Sequence, residues 1–210
     1  MDAASQPPTP HRGPLVIRHG ANLPHWTRDG ATYAVTFRLA DSLPQPVLNA
    51  WRIERDHIVA RAEQMQRELT EYECARLDEL HSQKIESYLD AGHGSCWMND
   101  PAVAQIVHDA MFHFDRARHD ILAWCIMPNH VHTIVRPRSG FDLPHILHSW
   151  KGFSGREANK FLGTSGPFWQ PEPYDHLVRG EADLKHCVEY VINNPVKAGL
   201  TNWPWVGRTS

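Results

Sequence analysis

The 210-residue chain contains no apolar run approaching the roughly 18 residues a bilayer-spanning helix needs. Its opening stretch, MDAASQPPTPHRG, lacks the apolar segment of a secretory signal and is expected to form a short Pro-rich disordered tail over 1–14. Cysteine is scarce: Cys74, Cys96, Cys125 and Cys187 are scattered with no CxxC pair, which argues against a structural zinc site and fits a reducing cytoplasm. A basic excess is also missing. With 21 Lys and Arg against 24 Asp and Glu, the net charge is -3, so bulk charge gives no sign of a nucleic-acid binder. The charge is unevenly spread. Residues 44–92 hold six Lys/Arg against ten Asp/Glu, whereas 111–160 hold seven against four, so any phosphate-binding face is expected in the second half. No internal repeat is present.

What is present is enough apolar residue for a core: 41% hydrophobic and 10% aromatic, ordinary for a folded chain. Residues 15–205 are read as one domain. Tyr33 to Leu39 alternates and is rich in β-branched and aromatic residues, which predicts a strand. Residues 45–92 form a charged helical insertion, split near Thr70, where Thr70 and Glu73 have capping-box spacing. Asp100-Pro101 predicts a helix start running to about Phe114. Ile121 to Met127 reads as a buried strand, and His130 to Arg136 follows as its partner after the Pro128-Asn129 turn. A helix over 143–161, a short strand over 176–179 and a helix over 181–193, stopped by Pro195 and Gly199, complete the pattern. The order predicts an α+β fold: a ferredoxin-like βαββαβ antiparallel sheet with helices on one face, plus an added C-terminal helix carrying Tyr190.

Two features carry chemistry. In His130-Val131-His132, strand alternation sends both imidazoles to one face and Val131 to the core. Paired imidazoles suit a divalent ion; two merely surface or hydrogen-bonded histidines are the plainer alternative. On the last helix, Leu184, Cys187, Val188 and Val191 form an apolar stripe. At about 100° per residue, Tyr190 lies about 120° from Leu184, with Asn194 one turn further along the same flank. Taken alone, Tyr190 could equally cap the edge of the core. Together the features explain each other. A phenol with a pKa near 10 is a poor nucleophile at neutral pH. A metal that neutralises a scissile phosphate removes part of that difficulty. Two imidazoles and an amide oxygen would leave positions open for phosphate oxygens. A phosphotyrosine link conserves the energy of the broken diester for rejoining, which strand transfer needs and hydrolysis does not.

Met127-Pro128-Asn129-His130-Val131-His132, Trp150-Lys151, Phe168-Trp169-Gln170, Asp175-His176-Leu177-Val178-Arg179 and Tyr190-Val191-Ile192-Asn193-Asn194-Pro195-Val196-Lys197-Ala198-Gly199-Leu200, in that order, resemble the REP-associated tyrosine transposases. These are single-tyrosine HUH transposases related to small insertion-sequence enzymes. The resemblance spans about residues 31–205 without the 45–92 insertion. It implies the ferredoxin-like fold, a Mg²⁺ or Mn²⁺ ion, and cleavage leaving a 5′-phosphotyrosine and a free 3′-OH. It maps metal ligands onto His130 and His132, the nucleophile onto Tyr190, and a third ligand onto Asn194. The implied substrate is single-stranded DNA, often folded into a palindromic hairpin, and a homodimer is left open. The prolines at 171 and 173 beside Asp175-His176 depart from the pattern.

For DNA contacts, Lys151 and Arg156 are candidates to bind phosphates. Arg179 is another, with an ion pair to Glu181 or Asp183 as the alternative. Trp169 could stack on an unpaired base or belong to the core. Arg38 and Arg136, at strand ends, could face the phosphate or simply the surface, while Trp203 and Trp205 are expected to pack near the C-terminus. The low basicity keeps a second function in view: a domesticated hairpin-DNA-binding or regulatory protein that has lost catalysis.

Overall fold

The structure is a computed structural model that describes residues 16–19, 24–27, 30–67, 69–70, 72–73, 76–77 and 85–209. The expected tail over 1–14 and Cys74 lie outside these residues.

An antiparallel hairpin of β1 (Val16–His19) and β2 (Pro24–Thr27) precedes the main sheet. That sheet has five strands in the order β6-β3-β5-β4-β7: β3 (Tyr33–Arg38), β4 (His119–Ile126), β5 (His130–Pro137), β6 (Tyr174–Leu177) and β7 (Val206–Arg208). Every pairing is antiparallel. Two crossovers build it. The first runs from β3 to β4 through α1 (Gln45–Gln64), α2 (Ser87–Asp90), the 3₁₀ turn Trp97–Asn99 and α3 (Pro101–Phe112). The second runs from β5 to β6 through α4 (Leu143–Leu162). This is the α+β, βαββαβ order that the sequence predicts.

Strand alternation divides the sheet into two buried faces. Tyr33, Val35, Phe37, Val131 and Val135 point to one face, where Val103, Val107 and Met111 of α3 and Ile146, Leu147 and Trp150 of α4 cover them. Ala34 and Ile134 point to the other, where Val188 and Val191 of α5 (Glu181–Lys197) join Ala123 and Cys125. A bulge between Ile121 and Ala123 shifts β4 by one residue, so Ile121 faces α3 and α4 while Ala123 and Cys125 face α5. His130 and His132 share the parity of Ile134, and so the α5 side of the sheet.

Start signals written in the sequence are present. Asp100 accepts from Ala102 N at 2.8 Å with Pro101 next. Glu73 N donates to Thr70 Oγ1 at 3.2 Å and Thr70 N donates back to Glu73 Oε2 at 2.9 Å, a reciprocal capping box. Three element boundaries differ from expectation. The last helix does not stop before Pro195 but runs through it to Lys197. A proline this close to a helix end removes a single intrahelical bond. The carbonyls are met instead by Ala198 N on Asn194 O and Leu200 N on Pro195 O, and the chain turns at Gly199 with φ +73. β6 begins at Tyr174, two residues before the expected strand, because Tyr33 to Thr36 pair with Leu177 back to Tyr174. The short β7 has no counterpart in the sequence reading. It pairs with the outer edge of β4, with Trp203 Nε1 donating to Ile126 O at 2.7 Å, so the two late tryptophans close an edge as well as pack.

The ends of the 45–92 insertion are clipped together. Ser95 N donates to Asp41 Oδ2 at 2.8 Å, and Gly94, at φ +89, sits so close that a Cβ there would fall 2.7 Å from Asp41 O. Met98 N donates to Pro128 O at 3.0 Å, which docks the end of the insertion on the β4–β5 turn. Leu43, Ile85 and Leu89 form a small separate core beneath it, with Ile58 and Tyr88.

Trp169 is 6% exposed, meets Phe37 edge-on at 4.9 Å between ring centroids, and donates its indole N–H to Ser154 Oγ at 3.0 Å. Trp169→Ala is expected to lower unfolding free energy by about 3–5 kcal/mol in urea denaturation, the usual range for emptying a buried tryptophan site.

Candidate metal and nucleophile site

The site is assembled on the α5 face where β3 and β5 run side by side. Arg38 is paired with His130 and Thr36 with His132 in the strand register. Both imidazoles are buried, at 0% and 2% exposure. Each is gripped by its Nδ1. Asn129 Oδ1 lies 2.7 Å from His130 Nδ1, and Asn129 Nδ2 donates to His93 O at 2.9 Å. With its amide nitrogen committed, Asn129 offers an acceptor to the ring, so His130 carries its proton on Nδ1 and a lone pair on Nε2. Thr36 Oγ1 lies 2.8 Å from His132 Nδ1 and holds that ring in place. Burial, helped by the Lys197 charge, pushes the His132 pKa down to about 3, so the ring is neutral at pH 7.

The two Nε2 atoms then meet at 2.9 Å, with the rings nearly perpendicular. Two bare lone pairs repel at that separation, so a proton or a cation must lie between them. α5 supplies the rest. Asn194 is completely buried, and neither its Oδ1 nor its Nδ2 has a hydrogen-bond partner, although the amide is near enough to Tyr190 to favour the phenolate. Two neutral imidazole nitrogens and an orphaned amide oxygen fit a divalent ion such as Mg²⁺ or Mn²⁺.

Tyr190, one turn before Asn194, is half-buried with its ring 5.4 Å from that of His132 and perpendicular to it. Lys197 Nζ lies 4.4 Å from the centroid of the Tyr190 ring, a cation–π contact. Two carboxylates of the insertion reach the same place. The charges of Glu86 and Asp90 both act on Tyr190, and Asp90 has a buried Oδ1 with no hydrogen-bond partner. Burial raises the Tyr190 pKa well above its ordinary value, and the charges of Glu86 and Asp90 raise it further. The same burial pushes Glu86 up to about 7, with Asp90 adding to the shift and Lys197 opposing it. A free phenolate is therefore scarce at neutral pH, and attack from Tyr190 requires its proton to be taken as the bond forms.

The structure thus brings His130, His132 and Tyr190 together, with Asn194 buried one helical turn after Tyr190 and Arg38 paired with His130 on the same face. The other candidate DNA contacts lie elsewhere. Lys151 Nζ donates to Gln170 O at 2.7 Å and Pro171 O at 2.6 Å, anchoring the loop before β6, and burial lowers its pKa to about 8. Trp169 sits in the α4-side core. Arg136 Nε donates to Thr32 Oγ1 at 3.0 Å, four strand residues or roughly 13 Å beyond His132. Arg156 is exposed beside Glu157, and Arg179 is exposed with its backbone N–H on Asp183 Oδ2 at 2.7 Å.

Sequence reasoning missed Thr36, Glu86, Asp90 and Lys197. Thr36 is visible only through the strand register, and the two carboxylates look like any solvated pair at i and i+4. Among the described residues a separate donor group, His176, Asp183 and Cys187, lies within 4.8 Å at the β6–α5 junction. Its members are already engaged: His176 Nε2 is 3.1 Å from Asp183 Oδ2, and burial with the Asp183 charge pushes the Cys187 thiol up to about 12, away from the thiolate a metal needs.

Two substitutions test the site. His130→Ala is expected to abolish Mn²⁺ binding in isothermal titration calorimetry. Thr36→Val, which keeps the side-chain shape but releases His132 Nδ1, is expected to weaken it about 10- to 100-fold, as loss of a ligand's outer hydrogen bond does. Unchanged affinity in Thr36→Val would show that His132 needs no such orientation.

Residues 100–194 match the family model described as Transposase IS200 like. The REP-associated tyrosine transposase of Escherichia coli K12 is 29% identical over 106 residues, which cover 48% of this chain and 62% of that protein. A relative from Haemophilus influenzae is 24% identical over 100 residues, covering 41% of this chain and 57% of its own length. The matched segment therefore spans about three fifths of the curated relatives. A solved structure of a REP-associated tyrosine transposase bound to a REP hairpin aligns over 94% of this chain and 81% of that one, with 18% identity and a TM-score of 0.48. The chain is thus similar to the REP-associated tyrosine transposases, and its match to the IS200-like transposase family falls on the segment that holds His130, His132, Tyr190 and Asn194.

Proposed function

We propose that this protein is a transposase-type transesterase that cuts and rejoins single-stranded DNA through a covalent 5′-phosphotyrosine on Tyr190. The observation that carries the reading is the meeting of His130 Nε2 and His132 Nε2 beside the Tyr190 ring in one chain, with the unpartnered amide of Asn194 one helical turn after Tyr190. His130, His132 and Asn194 would hold the divalent ion, whose chemistry is to neutralise and orient the scissile phosphate. Tyr190 attacks the phosphorus and the 3′ oxygen departs. The Tyr190 ring stands 5.4 Å from His132 of its own chain, which supports action within one subunit. Arg38, paired with His130 in the strand register, would meet a phosphate held at the ion, and the exposed Arg156 and Arg179 would make backbone contacts further out.

The REP-associated character of the Escherichia coli relative supports hairpin-forming repetitive palindromic DNA as substrate. Net charge of -3 argues that binding depends on local cations and unpaired bases rather than on a broad basic face.

Incubated with single-stranded hairpin DNA and Mn²⁺, the protein should form an adduct that survives denaturing gel electrophoresis. Tyr190→Phe should lose the adduct and keep DNA affinity within a few-fold. An adduct that persists in Tyr190→Phe would remove Tyr190 as nucleophile. Tight binding without an adduct under any divalent ion would favour the regulatory hairpin-binding reading instead.

A further inference from the structure

The side chain that grips His130 is itself gripped from the end of the insertion. Asn129 is fully buried and is held at three atoms. Its backbone carbonyl accepts from Leu39 N at 2.9 Å, its Oδ1 lies 2.7 Å from His130 Nδ1, and its Nδ2 donates to His93 O at 2.9 Å. His93 belongs to the loop Ala91-Gly92-His93-Gly94-Ser95, which the exposed Asp41 fastens to the end of β3. Asp41 Oδ2 accepts from Ser95 N at 2.8 Å and from Ser95 Oγ. Gly94, between His93 and Ser95, is pressed against the Asp41 carbonyl, an approach that a Cβ would block. Met98 N, on Pro128 O at 3.0 Å, ties the chain just beyond the loop to the residue before Asn129. Asp41 and His93 both lie outside residues 100–194, the segment that matches the transposase family model, whereas the histidine they reach lies inside it. Resting on the metal site assigned above, we propose that Asp41 and Asn129 are positioning residues of this protein: the clip between Asp41 and the end of the insertion holds the His93 carbonyl on Asn129, and that carbonyl keeps His130 in the tautomer that can bind the ion.

A backbone carbonyl can only accept. While His93 O is in place it takes the amide nitrogen of Asn129, and Oδ1 is the end of that amide left for His130. His130 then carries its proton on Nδ1, and Nε2 keeps the lone pair a metal needs. If the loop withdraws, the buried Nδ2 loses its acceptor, which is costly in an interior. The amide recovers one by turning over, because its oxygen and nitrogen ends have nearly the same shape. Nδ2 then donates to His130 Nδ1, the ring proton moves to Nε2, and that nitrogen no longer ligates. No strand shifts in this exchange. His132 is held by Thr36 of β3, away from the loop, and the packing of Val131 and Val135 against α3 and α4 does not involve it. Release of the clip therefore changes one tautomer and the metal affinity that depends on it, and leaves the sheet intact.

Asp41→Ala removes both hydrogen bonds to Ser95, whereas Asp41→Asn keeps an oxygen to accept them and removes only the charge. Two measurements on the full chain read the result: Mn²⁺ affinity by isothermal titration calorimetry, and the His130 tautomer by ¹⁵N nuclear magnetic resonance of the metal-free protein, its signals assigned by their loss in His130→Ala. Asp41→Ala is expected to weaken Mn²⁺ binding about 10-fold, the low end of what outer hydrogen-bond partners of a ligand contribute, and to move the His130 proton toward Nε2. Asp41→Asn should restore both. Affinity and tautomer in Asp41→Ala equal to those of the unsubstituted protein would overturn the proposal and leave the metal site standing. Equal losses in Asp41→Asn and Asp41→Ala would overturn it too, marking the charge of Asp41 and not the clip as the cause. Absence of Mn²⁺ binding by the unsubstituted protein would bring down the metal reading and this proposal with it. Should Asp41→Ala fail to fold, the unsubstituted metal-free protein decides: His130 is expected to carry its proton on Nδ1, and a proton resident on Nε2 would overturn the proposal.

Discussion

Everything at the centre of this molecule depends on two imidazole nitrogens held 2.9 Å apart in a water-poor interior. Neither ring can turn away. Asn129 and Thr36 hold the far nitrogens, and the strand register fixes the Cα positions behind them. Burial keeps His132 neutral, and the two Nε2 atoms 2.9 Å apart need a proton or a cation between them. The fold's other features near the site are arranged around that charge. Asn194 brings a buried amide, Lys197 an exposed cation and Arg38 a buried one. Glu86 and Asp90 bring the negative charge that makes an ion in the middle more, not less, favourable.

Tyr190 takes its place from the packing of α5 on the sheet. Val188 and Val191 lock the helix against Ala123, Cys125 and Ile134, which leaves the flank of Tyr190 and Asn194 facing the histidines. The helix can carry Asn194 into full burial only because it continues through Pro195. Had it ended earlier, as the proline suggests, Asn194 would sit on a fraying turn and its amide would be solvated. Tyr190 is then left in an environment that strongly disfavours its ionised form. Chemistry from such a tyrosine calls for a cation near the phosphate and an acceptor for the phenolic proton.

The βαββαβ core could be read from the sequence because each strand alternates cleanly and each helix is announced by a cap, as at Asp100-Pro101. The histidine pair and the Tyr190–Asn194 flank could be read for a related reason: i, i+2 on a strand and i, i+4 on a helix are local periodicities. Contributions that depend on tertiary register could not be. Thr36 is an ordinary strand threonine until it pairs with His132. Lys151 and Trp169 are typical phosphate-binding and base-stacking types, yet one closes a loop through backbone carbonyls and the other fills the core against Phe37. Glu86 and Asp90 sit in a stretch with ten acidic residues, where composition points to solvent and only the burial of Ile85 and Leu89 turns them inward.

The central claim is that the paired imidazoles are a metal site and not a hydrogen-bonded couple sharing a proton. Pulsed electron paramagnetic resonance on the protein titrated with Mn²⁺ tests it directly. The account predicts one tightly bound ion per chain whose spectrum carries couplings from two imidazole nitrogens, both lost in His130→Ala. Bound Mn²⁺ without nitrogen coupling, or coupling that survives His130→Ala, would contradict it.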